Sequence, residues 1–190
     1  LGDRIAAATY LSAAAAAGGE IFLRGVDYRH LSTVTTALRQ AGCRVESEKD
    51  AVCLTAPARL RAIPPVRTSP YPGFPTDAQA VLMAALLRSR GTTVFVENMF
   101  DSRYRHVPEL LRMGADIRTE GRVAVVCGAE RLHGARVRAA DLRGGAALVL
   151  AGLQAEGTTE VEQIHHIERG YADLVGDLRA LGAEIRLREA

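Results

Sequence analysis

The chain has 190 residues, 48% of them hydrophobic and 24% charged, which suits one large soluble domain or two small ones with a real core. Its 24 basic and 22 acidic residues leave a net charge of +2, so composition gives no case for a nucleic-acid partner. No run of about 20 apolar residues and no secretory leader pattern marks a membrane or an export route.

The three cysteines, Cys43, Cys53 and Cys127, are odd in number and lie in no metal-ligand spacing. A reducing cytoplasm fits them better than a disulfide framework, and no metal or cofactor is expected. His165 and His166 are adjacent, and on a strand they would point to opposite faces. Nearly all the basic residues are arginines, Lys49 being the single lysine. The chain opens at Leu1 without an initiator methionine, as a fragment or a processed start would.

In chain order, residues 5–17 are almost wholly alanine, leucine and other small or apolar types, which predicts a helix buried on all sides. Gly18-Gly19 ends it, and Glu20-Ile21-Phe22-Leu23 begins a strand. A second helix closes at Leu38-Arg39-Gln40-Ala41-Gly42, followed by strands at Cys43-Arg44-Val45 and Val52–Thr55.

Next comes Pro70-Tyr71-Pro72-Gly73-Phe74-Pro75-Thr76-Asp77. Three prolines restrict the backbone before one carboxylate reaches the start of an apolar helix over residues 80–87. Asp77 has two readings. It caps the helix, as Asp and Thr before an apolar run commonly do, or it is aimed at a ligand.

The pattern then recurs. Arg90-Gly91-Thr92-Thr93-Val94-Phe95 and Glu156-Gly157-Thr158-Thr159-Glu160-Val161 repeat the helix-end-to-strand junction of Gly18-Gly19. Helices over 104–113 and 170–181 close at Leu111-Arg112-Met113-Gly114 and Leu178-Arg179-Ala180-Leu181-Gly182, like Leu38 to Gly42. The closing glycines lie about 70 residues apart, a period that denotes a repeated supersecondary unit.

Each unit reads helix, strand, helix, strand and a further strand; Val123–Cys127 is the further strand of the second unit. The third is short, ending after a strand at Ala183-Glu184-Ile185. Residues 146–155 form the third apolar helix. The expected fold is α/β of the α+β type, a threefold pseudo-symmetric domain with central buried helices and outer sheets. Residues 1–190 form one domain of three repeats, at about 1–56, 70–130 and 138–190. Asp3 and Asp141 also precede buried helices, which strengthens the capping reading of Asp77. Only the second unit has the proline-rich approach.

Four stretches carry a resemblance to a known family: Tyr71 to Gln79; Glu97 to Leu110 with Arg112-Met113-Gly114-Ala115-Asp116; Asp141-Leu142-Arg143 with Ala146 to Gly152; and Gly157-Thr158-Thr159 through His165 to Tyr171. In order and spacing they resemble the C-terminal half of the enolpyruvyl transferases, in the branch that acts on UDP-N-acetylglucosamine in peptidoglycan synthesis. The sister branch of the shikimate pathway is not expected to show Phe74-Pro75-Thr76-Asp77 and His106-Val107-Pro108-Glu109-Leu110 together.

The resemblance implies transfer of the enolpyruvyl group of phosphoenolpyruvate to the sugar 3-hydroxyl by addition and elimination, between two similar domains. It matches Asp77 to the aspartate that binds the sugar hydroxyl and is proposed as its base. Met99 falls where a backbone group holds UDP-N-acetylglucosamine. Arg103, Arg143 and Arg169 match arginines near the phosphoenolpyruvate and phosphate region, Arg169 foremost as a direct anion ligand. Guanidinium forks pair bidentately with such anions, the alternative for each being a surface ion pair.

The family's phosphoenolpyruvate lysine and its loop proton donor, a cysteine or aspartate, lie in the other domain; neither Lys49 nor any of the three cysteines matches them. The 190 residues alone are therefore expected to be inactive, with that domain of the same polypeptide as partner. Glu168-Arg169 stands where the family commonly has Asp-Arg, and Gly144-Gly145 is looser than its usual small pair. His106 and His133 read as structural. Two other readings stay open: a non-catalytic binding module on the same repeat, and a shikimate-pathway transferase.

Overall fold

Residues 2–188 are described by the structure, a computed structural model. The first unit opens with α1 (Arg4–Ala17), where the Asp3 carboxylate accepts from the N–H groups of Ile5 and Ala6 and Gly18 ends the helix at φ 83. Strand β1 (Glu20–Arg24), helix α2 (Ser32–Gln40) and the hairpin β2 (Arg44–Ser47) and β3 (Ala51–Thr55) follow, paired antiparallel in the order β1-β3-β2.

The second unit holds β4 (Val66–Arg67), α3 (Thr76–Ala85) with a 3-10 turn to Arg88, β5 (Thr92–Val96), α4 (Val107–Arg112), β6 (Asp116–Glu120) and β7 (Val123–Cys127). Its sheet runs β4-β5-β7-β6, with only the β4–β5 pair parallel. The third contains β8 (Arg136–Arg138), α5 (Leu142–Gly152), β9 (Glu160–Glu162), the single turn α6 (His165–Glu168) and α7 (Leu174–Ala180), with β8 and β9 parallel.

The repeat is visible in backbone detail. Gly42, Gly114 and Gly182 have φ of 105, 87 and 96, the left-handed region an L side chain enters only with strain. In each unit the residue after that glycine donates back into the helix: Cys43 N to Leu38 O at 3.0 Å, Ala115 N to Leu110 O at 3.2 Å, Ala183 N to Leu178 O at 2.9 Å. One helix stop has been written three times.

Helix α3 packs against both α1 and α5, and α1 touches α5, so the three apolar helices form the centre. From Ala78 to Leu87 every α3 residue and its 3-10 extension is buried, as the all-round apolar pattern requires. Phe95, Ala124 and Val126 turn the second sheet's inner face onto this core, and α2, α4 and α7 show charge outward. No helix among the described residues is long and apolar enough to cross a membrane.

One expectation needs correcting. Residues 183–188 form no strand. A strand is defined by its ladder, and none of the described residues pairs with this segment. His165 and His166 lie on α6 rather than on a strand, with ring centroids 4.2 Å apart on one helical turn.

Candidate active site

The proline-rich loop is a closed turn. Ser69 N donates to Phe74 O at 3.0 Å, Gly73 N donates to Pro70 O at 2.8 Å, and the buried Phe74 ring anchors the loop in the core. It delivers the chain to Pro75, whose extended backbone caps α3 without a side-chain bond. Asp77 is therefore not the cap. It is the second helical residue, and its carboxylate turns away from its own helix. Asp3 and Asp141 are true caps, the latter accepting from Gly144 N at 2.7 Å.

Asp77 instead meets two arginines from different units. Arg103, from the turn before α4, pairs with Oδ1. Arg143, the second residue of α5, places Nη2 3.5 Å from Oδ2. The first turns of α3 and α5 thus meet, and α1 joins them: the Arg4 guanidinium lies 5.4 Å over the Tyr71 ring in the loop leading to α3. Tyr171, 5.6 Å beneath the Arg143 guanidinium, hydrogen-bonds Thr9 of α1 at 2.8 Å. Three helix N-termini, each with a partial positive charge, share one end of the domain.

The arginines are held but not saturated. The Arg143 side chain is only 12% exposed, yet among the described residues its Nε and Nη1 find no hydrogen-bond partner, nor does Arg103 Nε. Arg103 also stacks 5.4 Å from the Phe100 ring. Unpartnered guanidinium donors at low exposure beside helix N-termini make an environment that takes an anion.

Met99 sits next to this cluster, 39% exposed, with its N–H donated to Glu97 Oε1 at 2.7 Å. Arg169 is not brought to Asp77. It is exposed, at the C-terminal end of α6, and forms no ion pair among the described residues. It lies two residues before Tyr171 in the chain. Lys49 lies in the turn between β2 and β3.

Sequence reasoning passed over three neighbours. Tyr171 was quoted within a motif without a role; its aromatic face beside a buried guanidinium shows only in three dimensions. Glu97 is 1% exposed and accepts from Thr68, Thr76, Met99 and Phe100. The one available signal was an acid ending the apolar strand Thr92–Val96. Tyr104 stands close by, and burial, then the Glu97 carboxylate, pushes its hydroxyl up to about 12. His106, read as structural, is buried beside the first turn of α5, and burial lowers its imidazole to about 4.

This arrangement of three central helices, outer sheets and a carboxylate between arginines defines the class: an enolpyruvyl transferase fold. The chain superposes on the enolpyruvyl transferase NikO of Streptomyces tendae with a TM-score of 0.88 at 30% identity, covering 98% of this chain and 44% of that one. An EPSP synthase of Acinetobacter baumannii shares the fold at a TM-score of 0.68 and 23% identity. The model of the EPSP synthase (3-phosphoshikimate 1-carboxyvinyltransferase) family matches residues 1–188, and the chain belongs to this family of carboxyvinyl transferases.

Within the family, its relatives include the UDP-N-acetylglucosamine 1-carboxyvinyltransferase of Desulfofundulus thermocisternus, 52% identical over 96% of this chain and 75% of that protein. The enzyme of that name from Myxococcus xanthus is 48% identical over the whole of this chain and 45% of its own length. The chain thus spans less than half of the Myxococcus protein.

Proposed function

We propose that the polypeptide carrying this chain transfers the enolpyruvyl group of phosphoenolpyruvate to the 3-hydroxyl of UDP-N-acetylglucosamine, a cytoplasmic step of peptidoglycan synthesis. One observation carries the reading: Asp77 stands at the joined helix N-termini between two arginines, of which Arg143 Nε and Nη1 and Arg103 Nε are buried without a partner among the described residues. The relatives favour the UDP-N-acetylglucosamine branch over the shikimate branch, since identity is 52% and 48% to the former and 23% to the solved EPSP synthase.

In this reading Asp77 accepts the hydrogen bond of the sugar 3-hydroxyl and takes its proton as oxygen attacks the enol carbon. A proton adds to the methylene carbon. Phosphate then leaves as a methyl proton is lost, which restores the carbon–carbon double bond on the sugar ether. Arg103 and Arg143 meet the carboxylate and phosphate charges, and Arg169 closes on them. The substrate anions occupy arginine donors that Asp77 leaves free and loosen its pairing as the hydroxyl arrives. The Met99 carbonyl holds the sugar. The lysine and the proton donor come from a second domain of the same polypeptide, so residues 1–190 alone do not turn over.

Phosphate release from phosphoenolpyruvate and UDP-N-acetylglucosamine tests this. Asp77→Asn should lower kcat about a hundredfold or more with the fold intact, and Arg143→Lys should raise KM for phosphoenolpyruvate because the fork is lost. Wild-type turnover by Asp77→Asn, preference for shikimate 3-phosphate, or phosphate release by the 190 residues alone would each overturn the assignment.

A further inference from the structure

Glu97 lies directly after β5, under the site, and the mechanism above gives it no task. It is 1% exposed, with no cation paired to it among the described residues. A buried carboxylate persists only where donors surround it, and here four do. Oε1 accepts from Thr68 Oγ1 at 2.9 Å, Met99 N at 2.7 Å and Phe100 N at 3.1 Å; Oε2 accepts from Thr76 Oγ1 at 2.9 Å.

Those donors are not a random set. Thr68 and Thr76 are the two ends of the proline-rich loop, and Thr76 precedes Asp77 in the chain. Met99 and Phe100 begin the turn that leads to Arg103. The Thr68 hydroxyl in turn accepts from Asn98 N at 2.8 Å, and Asn98 Nδ2 donates to Thr68 O at 3.1 Å, so the same two segments are stitched twice.

We propose that Glu97 is a positioning residue of the sugar-binding site. Its single carboxylate fixes the Asp77 segment and the Met99 carbonyl relative to one another, so that the hydroxyl acceptor and the backbone acceptor address one ligand together. The inference rests on the function proposed above and adds how the two contacts keep their spacing. Preorganisation of this kind acts on binding and orientation rather than on the reacting atoms. Its loss therefore falls chiefly on the nucleotide sugar, since Arg143, on α5 and outside both segments, keeps its hold on the anion.

The test uses the polypeptide carrying this chain, with Glu97→Gln, Thr76→Val and Thr76→Ser. Glutamine must turn an NH2 toward one of the two sets of donors. Glu97→Gln should raise KM for UDP-N-acetylglucosamine about tenfold or more, with KM for phosphoenolpyruvate within about twofold. Thr76→Val, which removes one bond and leaves the carboxylate three donors, should move the same constant by less, and Thr76→Ser should restore it. If Glu97→Gln does not fold, the Thr76 pair decides alone.

Amide hydrogen exchange gives a readout that needs no turnover: segments 69–77 and 98–103 should accelerate together in Glu97→Gln, or in Thr76→Val, while β1 stays protected. Unchanged exchange, wild-type KM for the sugar, or equal losses for both substrates would overturn the positioning role. A wild-type protein that binds no UDP-N-acetylglucosamine, with the paired acceleration still seen in the variants, overturns the proposed function instead.

Discussion

The buried His106 should make the stability of this domain depend on pH in a particular window. Its residue is 1% exposed at the N-terminus of α4, and among the described residues its ring has at most the Arg103 backbone as a hydrogen-bond partner. A methyl on Gly144 would sit 2.9 Å from its Cβ, so α5 closes directly over it. Burial pulls the imidazole from 6.5 to about 4; the nearby Asp141 charge opposes this and the Arg103 charge reinforces it. The unfolded chain therefore takes up a proton near pH 6.5 that the folded chain refuses until near pH 4. Between those values the unfolded state binds more protons, so stability rises with pH and is lost as pH falls.

The depression corresponds to about 2 kcal/mol lost between pH 8 and pH 5, and roughly 3 kcal/mol by pH 4. Urea unfolding of wild type and His106→Leu at pH 5 and pH 8 isolates this contribution from that of the carboxylates, which titrate in both. The wild type should lose about 2 kcal/mol more than the variant over the interval. Equal losses, or an imidazole NMR signal titrating near 6.5 in the folded protein, would refute the reasoning.

Two other outcomes follow from packing. A Cβ on Gly128 would lie 1.5 Å from Ser89 O, a backbone atom that no rotamer can move aside. Gly128→Ala should cost about 3 kcal/mol, read as a lower urea midpoint, and an unchanged midpoint contradicts the contact. Burial pushes the Cys43 thiol up to about 11. At pH 8 an alkylating reagent should label the half-buried Cys127 well before Cys43, and peptide mapping that finds equal rates would show the first unit open.

Much of the fold was legible because it was written three times. An alanine-rich run without a polar face, a glycine closing each second helix and a Gly-to-strand junction are local signals, and repetition made each one corroborate the others. The strand at Ile185 failed because a ladder partner is a non-local requirement that periodicity does not test. Asp77 looked like a cap because Asp3 and Asp141 are caps. The helix, however, begins at Thr76 with Pro75 as its cap, and this two-residue shift sends the carboxylate to Arg103 and Arg143 instead.

Those arginines lie 26 and 66 residues from Asp77, and the threonines on Glu97 lie 29 and 21 residues from it. The chemistry of the site could be guessed from residue types in motifs. The pairing of Asp77 could not, because both of its arginines arrive from other elements.

The central position of α3 sets how this domain can come apart. In stacked repeat proteins an end unit can fray while its neighbours stay folded, since each touches only the next. Here the first helix of each unit is covered by helices of the other two. No unit has an inside of its own, so the loss of any one strands apolar helix surface in water on the remaining pair. Three tandem copies thus behave as one cooperative block in unfolding, without the graded, end-first opening of a linear array.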